Sequence, residues 1–78
     1  MPTILRSGPF RVFFYSSDGE EPDHVHVQRE DALAKVWLNP VRIEWSEGFR
    51  RADIARVEKL VRENKELLME AWHEYFAG

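Results

Sequence analysis

The feature that most constrains the fold is a change of hydrophobic period at Gly48. From Pro9 to Trp45 apolar residues alternate with polar ones, the two-residue period of a half-buried strand. Beyond Gly48, Ile54, Val57, Val61, Leu68, Ala71 and Tyr75 recur at helical spacing, reinforced by Leu60, Leu67, Trp72 and Phe76. Strands followed by helices, rather than the two interleaved, define an α+β domain. The strand region spans about residues 9–45 and the helical region about residues 51–76 of one small domain, 1–78.

Within the first region, PFRVFFY places Phe10, Val12 and Phe14 on one face and Arg11, Phe13 and Tyr15 on the other. The polar SSDGEEPD follows as a loop, with Asp18-Gly19 as its turn signal. HVHV resumes the period, Val25 and Val27 to one side, His24, His26 and Gln28 to the other. ALAKVWL opposes Leu33, Lys35 and Trp37 to Ala34, Val36 and Leu38. In VRIEW the same alternation sends Val41, Ile43 and Trp45 inward. Connections this short favour an antiparallel meander, because parallel neighbours need a long crossover. The expected architecture is a three- or four-stranded antiparallel sheet packed against a C-terminal helical segment, with Thr3 to Leu5 a candidate leading strand.

A single helix from Arg51 to Phe76 would run roughly 38 Å, against about 17–20 Å for five- or six-residue strands. It would overhang the sheet. Either the chain breaks or kinks around Glu63 to Lys65, with Asn64 as a tolerable cap, or the overhang docks on a partner or a second copy. Trp72, Tyr75 and Phe76 need cover in both cases.

Composition excludes several classes. With 44% hydrophobic and 13% aromatic residues the chain can build one core, and its formal net charge of −3 argues against a generic DNA-coating protein. Basic residues gather at Arg50, Arg51, Arg56, Lys59, Arg62 and Lys65, alternating with Asp53, Glu58 and Glu63 in the pattern of a solvated helix face. There is no cysteine, hence no disulfide or thiolate ligand. Neither a leader nor a membrane span is visible, so a cytoplasmic protein is expected. No Gly-rich phosphate loop or nucleophile elbow is present, and no cofactor is expected.

Chemistry concentrates in EEPDHVHV. Residues i and i+2 of a strand share a face at about 6.5–7 Å, near enough for His24 and His26 to converge on one ion or phosphate. The plainer reading is a pair of solvated or hydrogen-bonded imidazoles on a polar strand face. A metal would want a third ligand, for which Glu21, Asp23 and Glu20 are the nearest oxygen donors. Without a metal, the pair suits RNA cleavage, where one group takes the ribose 2′-hydroxyl proton and another protonates the leaving oxygen. Lys35 and Arg11 on neighbouring strands are candidates to hold phosphate, and Glu21 to orient an imidazole. His73, between apolar stripe and solvent, reads as a surface or partner-contact residue.

The strings EPDHVHV, AKVWL, VRIEWSEGF and ENKELLMEAWHEYF together resemble a bacterial and archaeal family named domain of unknown function 4160. Its hallmark Glu-Pro-x-His-x-His-Val corresponds here to Glu21, Pro22, His24, His26 and Val27, and its closing aromatics to Trp72, Tyr75 and Phe76. Where relatives carry a Ser-x-x-Glu capping box, this chain has Arg50 and Asp53. The resemblance implies one half of a two-gene cassette, a toxin–antitoxin component. The leading expectation is a metal-independent endoribonuclease-like toxin using His24 and His26 with Glu21, Lys35 and Arg11, its partners a cognate small antitoxin-like protein and RNA. The alternatives are a non-catalytic module that docks on a partner or homodimerises through its C-terminal helix, and a metal-binding protein using the His-x-His pair.

Overall fold

The structure, a computed structural model, describes residues 3–77, so readings that touch Met1, Pro2 and Gly78 lie outside the described residues. Five strands, β1 (Thr3–Ser7), β2 (Phe10–Phe13), β3 (His24–Arg29), β4 (Ala32–Leu38) and β5 (Val41–Glu47), form one antiparallel sheet in sequence order. Two helices follow, α1 (Arg51–Glu63) and α2 (Lys65–Phe76). The α+β class stands, and the sheet has one strand more than the upper expectation. The addition is β1, a full strand rather than a three-residue stub. Gly8 makes it possible by adopting φ +57° between Ser7 and its cross-strand partner Phe10, a backbone state only glycine enters without steric cost.

Val12, Val25, Val27, Ala34, Val36 and Leu38 line the sheet face beneath the helices, and Val57, Leu60, Val61 and Leu68 come down on them. All but Leu60 in this set are fully buried. The face rests on register: Val12 lies opposite Val27, Val27 opposite Ala34, and Val25 opposite Val36. Alternation therefore sends His24, His26, Lys35 and Trp37 to the opposite face of the sheet.

Trp45 does not follow the expected pattern. The β4–β5 register slips between Lys35 and Val36, pairing Lys35 with Trp45 and Val36 with Ile43, so Glu44 is the extra residue of a β-bulge. The bulge turns Trp45 onto the histidine face, where it is 39% exposed instead of inward. Val41 and Ile43, before the slip, pack on the core as expected.

The helical region is two segments joined at Asn64, whose φ −112° and ψ 18° leave the helical range. The Asn64 side chain donates to the Leu60 carbonyl at 2.8 Å, and the Leu68 N–H reaches the Asn64 carbonyl at 2.9 Å, so helical bonding resumes directly across the joint. The chain kinks without folding back. The overhang is covered from within: Phe14 packs on Trp72, Tyr75 and Phe76 at ring distances of 5.5, 5.0 and 5.3 Å. At the other end Arg50 caps α1 without a side-chain bond, while Asp53 in the first turn accepts from Arg29 Nη1 at 3.2 Å. No described helix is long and apolar enough to cross a membrane.

Candidate functional site

Between β2 and β3 the chain makes one 3₁₀ turn, η1 (Ser16–Glu20), which carries Asp18 over the end of the sheet. Two contacts hold it there. Asp18 Oδ2 accepts the Tyr15 backbone N–H at 2.8 Å, the local side-chain-to-backbone bond aspartate favours in turns. Gly19 lies under the Phe76 ring so closely that a Cβ would come within 2.6 Å of Phe76 Cδ1, so a side chain at Gly19 would push η1 off α2.

Held in this way, Asp18 Oδ2 stands 3.2 Å from His24 Nε2 and 3.3 Å from His26 Nε2. His24 is fully buried and His26 is 6% exposed. Aromatic rings build their walls: His24 touches Trp37 at 5.5 Å and Trp72 at 5.0 Å, and His26 stacks on Phe13 at 5.5 Å and meets Tyr15 edge-on at 4.8 Å. The contacts with Asp18 are short, yet they lack hydrogen-bond direction. Among the described residues His24 Nε2 and both ring nitrogens of His26 are buried without a hydrogen-bond partner. Burial holds the His26 imidazole below its ordinary pKa; the Asp18 carboxylate pulls the other way, and His24 and Lys35 add to the depression.

Of the five residues singled out in the sequence, four come together. Glu21 Oε1 is 3.8 Å from His24 Nε2, and Glu21 takes Lys35 Nζ on both oxygens at 2.9 and 3.0 Å. Lys35 lies opposite His26 on β4, its ammonium 4.7 Å over the Trp37 ring. Arg11 falls outside this group. It sits opposite Gln28, donates to Gln28 Oε1 at 2.6 Å and Thr3 Oγ1 at 3.1 Å, and covers the Phe13 ring at 4.2 Å. Asp23, a candidate third ligand, is instead paired with His73 Nε2 at 2.8 Å. Glu20 is exposed at the end of η1. Asp18, which the sequence offered only as a turn former, takes the central place.

The chain is thus a small α+β meander domain with a sealed histidine–carboxylate cluster at one end of its sheet and a lysine–glutamate pair at the rim. The sequence model of a family described as Domain of unknown function (DUF4160) matches residues 10–73, and the chain belongs to that family. No curated protein and no solved structure matches it.

Proposed function

We propose that this protein is a toxin–antitoxin component of the endoribonuclease-like kind, acting through the sheet face opposite α1. The observation that carries the reading is the gathering of Asp18, Glu21, His24, His26 and Lys35 at one end of that face, beside the exposed rings of Tyr15 and Trp45. A phosphodiester suits the rim. It would compete with Glu21 for the Lys35 ammonium, while Tyr15 and Trp45 offer flat surfaces for unstacked bases. Behind the rim, burial lowers the His26 pKa, which favours the neutral form that accepts a proton. At 6% exposure it stands behind the Glu21–Lys35 rim, with η1 as a wall. Arg11, committed to Gln28 and Thr3, is assigned a supporting position rather than a phosphate contact.

Induced expression tests this. Wild type should arrest growth with cleavage of cellular RNA, and His26→Gln and Lys35→Met should relieve the arrest with their circular dichroism unchanged. Loss of an acid–base group corresponds to a fall in cleavage rate of about 10²–10⁴-fold. Arrest that persists undiminished in both folded variants would remove the reading.

A second reading has its own support. Leu67 and Tyr75 on α2 are 50% and 46% exposed, an apolar surface that a cognate antitoxin-like protein or a second copy would cover. In that case Leu67→Asp abolishes association and the histidine variants leave it intact. Trp72, at 4% exposure, is core and no longer part of such a surface.

A further inference from the structure

We infer that Asp18 Oδ2, His24 Nε2 and His26 Nε2 form a binding site for a divalent transition-metal ion of the zinc class. This deepens the RNA-cleaving reading: with an ion bound, His26 Nε2 is a ligand rather than the proton acceptor, and the ion's part in catalysis rests on that reading, while its binding does not.

The hydrogen on neutral His24 has one place to go. Its Nδ1 lies 2.9 Å from the Pro22 carbonyl oxygen, which can only accept, so the hydrogen belongs on Nδ1. The Nε2 of the neutral ring is then a lone pair. What it faces are carboxylate oxygens, Asp18 Oδ2 at 3.2 Å and Glu21 Oε1 at 3.8 Å. Opposed lone pairs in a buried site repel, and a cation between them reverses the sign. A proton on His24 would serve there, but it would leave both nitrogens of His26 without a partner. One metal ion takes His24, His26 and Asp18 together.

Distances agree. Ligands bonded at about 2.05 Å to a tetrahedral ion stand about 3.3 Å from one another. The two carboxylate–imidazole separations are 3.2 and 3.3 Å, and all three ligand atoms lie within 4.8 Å of each other. Atoms at the corners of such a figure face its centre, which accounts for contacts that are short without being hydrogen bonds. The outer groups fit as well. Metal-bound imidazoles characteristically donate their other N–H to a carbonyl, as His24 does to Pro22, and ligating carboxylates are hydrogen-bonded in turn, as Asp18 is by Tyr15 N–H.

Two imidazoles and one carboxylate select zinc, cobalt, nickel or iron over magnesium and calcium, which prefer oxygen donors alone. Three protein ligands leave a fourth position. Glu21 is the nearest further donor but is held by Lys35, so that position is left to water, with the Lys35 ammonium alongside.

The test is a titration of chelator-stripped full-length protein with cobalt chloride, then zinc sulfate, read by visible absorption, calorimetry and melting temperature. One cobalt ion per chain should bind, give the visible bands of a four-coordinate site, be displaced by zinc and raise the melting temperature, while magnesium chloride does none of these. His26→Gln and Asp18→Asn should lose uptake while keeping their helical circular dichroism. Absence of stoichiometric uptake in wild type, or uptake unchanged in the two variants, overturns the proposal. Should a variant fail to fold, X-ray absorption of zinc-loaded wild type reads the ligands directly, and a shell without two imidazoles overturns it equally. The titration contains neither RNA nor cells. Ion binding without growth arrest upholds the site and removes the RNA-cleaving reading; growth arrest without ion uptake does the reverse.

Discussion

Trp72→Ala is expected to remove a large share of the stability of this domain. The indole is 4% exposed and lies 5.5 Å from the Phe14 ring, 4.3 Å from Phe76 and 5.0 Å from His24. Truncating a buried tryptophan costs about 3–5 kcal/mol, in small domains whose whole stability is about 5–15 kcal/mol. For a chain of this length each kcal/mol lowers the melting temperature by about 4–8 °C. Thermal melts of Trp72→Ala should therefore fall by more than ten degrees, whereas Tyr75→Ala, truncating a half-exposed ring on the same turns, should move them far less. The effect extends to the site. Trp72 is a wall of His24, and Phe76 beside it seats Gly19 of η1, so losing the indole loosens the cluster along with the core. Melts within two degrees of wild type would mean that α2 is not docked as described.

Asp18→Asn should do the opposite, abolishing growth arrest while leaving the stability of the metal-free protein nearly unchanged. Asparagine keeps an oxygen for the Tyr15 N–H, now accepted by Asp18 at 2.8 Å, and so keeps the bond that holds η1. That oxygen is also the atom that faces both imidazoles, and in asparagine it no longer carries a carboxylate's charge, so its opposition to their lone pairs weakens. The net change in stability should stay within about 1 kcal/mol in either direction, the scale of a single exchanged hydrogen bond. A residue retained for work rather than for folding shows this split between stability and activity. If the carboxylate instead formed a buried ion pair with a protonated imidazole, removing its charge would destabilise by about 3–5 kcal/mol. Parallel melts and growth curves of the one variant separate the two cases.

Much of this was legible because strand period is rigid. His24 and His26 had to share a face with Lys35 and Trp37 once Val25, Val27, Ala34 and Val36 were committed to the core, and they do. Asp18 was not legible. Its place depends on a 3₁₀ turn and on a contact between Gly19 and Phe76, residues far apart in sequence, whereas Glu21, Asp23 and Glu20 were nominated for nearness along the chain. A signal was present: an aspartate three residues after Tyr15, in Ser-Ser-Asp-Gly, is placed to bond back to the preceding backbone and close a turn. Trp45 was misplaced because one bulge residue inverts every later side chain, and a bulge at a glutamate leaves no glycine to mark it. The overhang of the helices was visible as a length mismatch. Its cover was not, since Phe14 reads as the last core residue of a strand until α2 is laid across it.

Asp18, His24 and His26 form one unit in which both imidazoles are buried. Long-range nitrogen–proton correlation spectra of the imidazole rings test it most directly, taken on chelator-treated wild type and on Asp18→Asn. The spectra should show a single His24 tautomer with its hydrogen on Nδ1, and Nε2 signals of both rings that move on replacing Asp18 while the Nδ1 signal of His24 stays. Imidazoles that exchange between tautomers like free histidine, with no response at either Nε2 to the loss of the carboxylate, would contradict it.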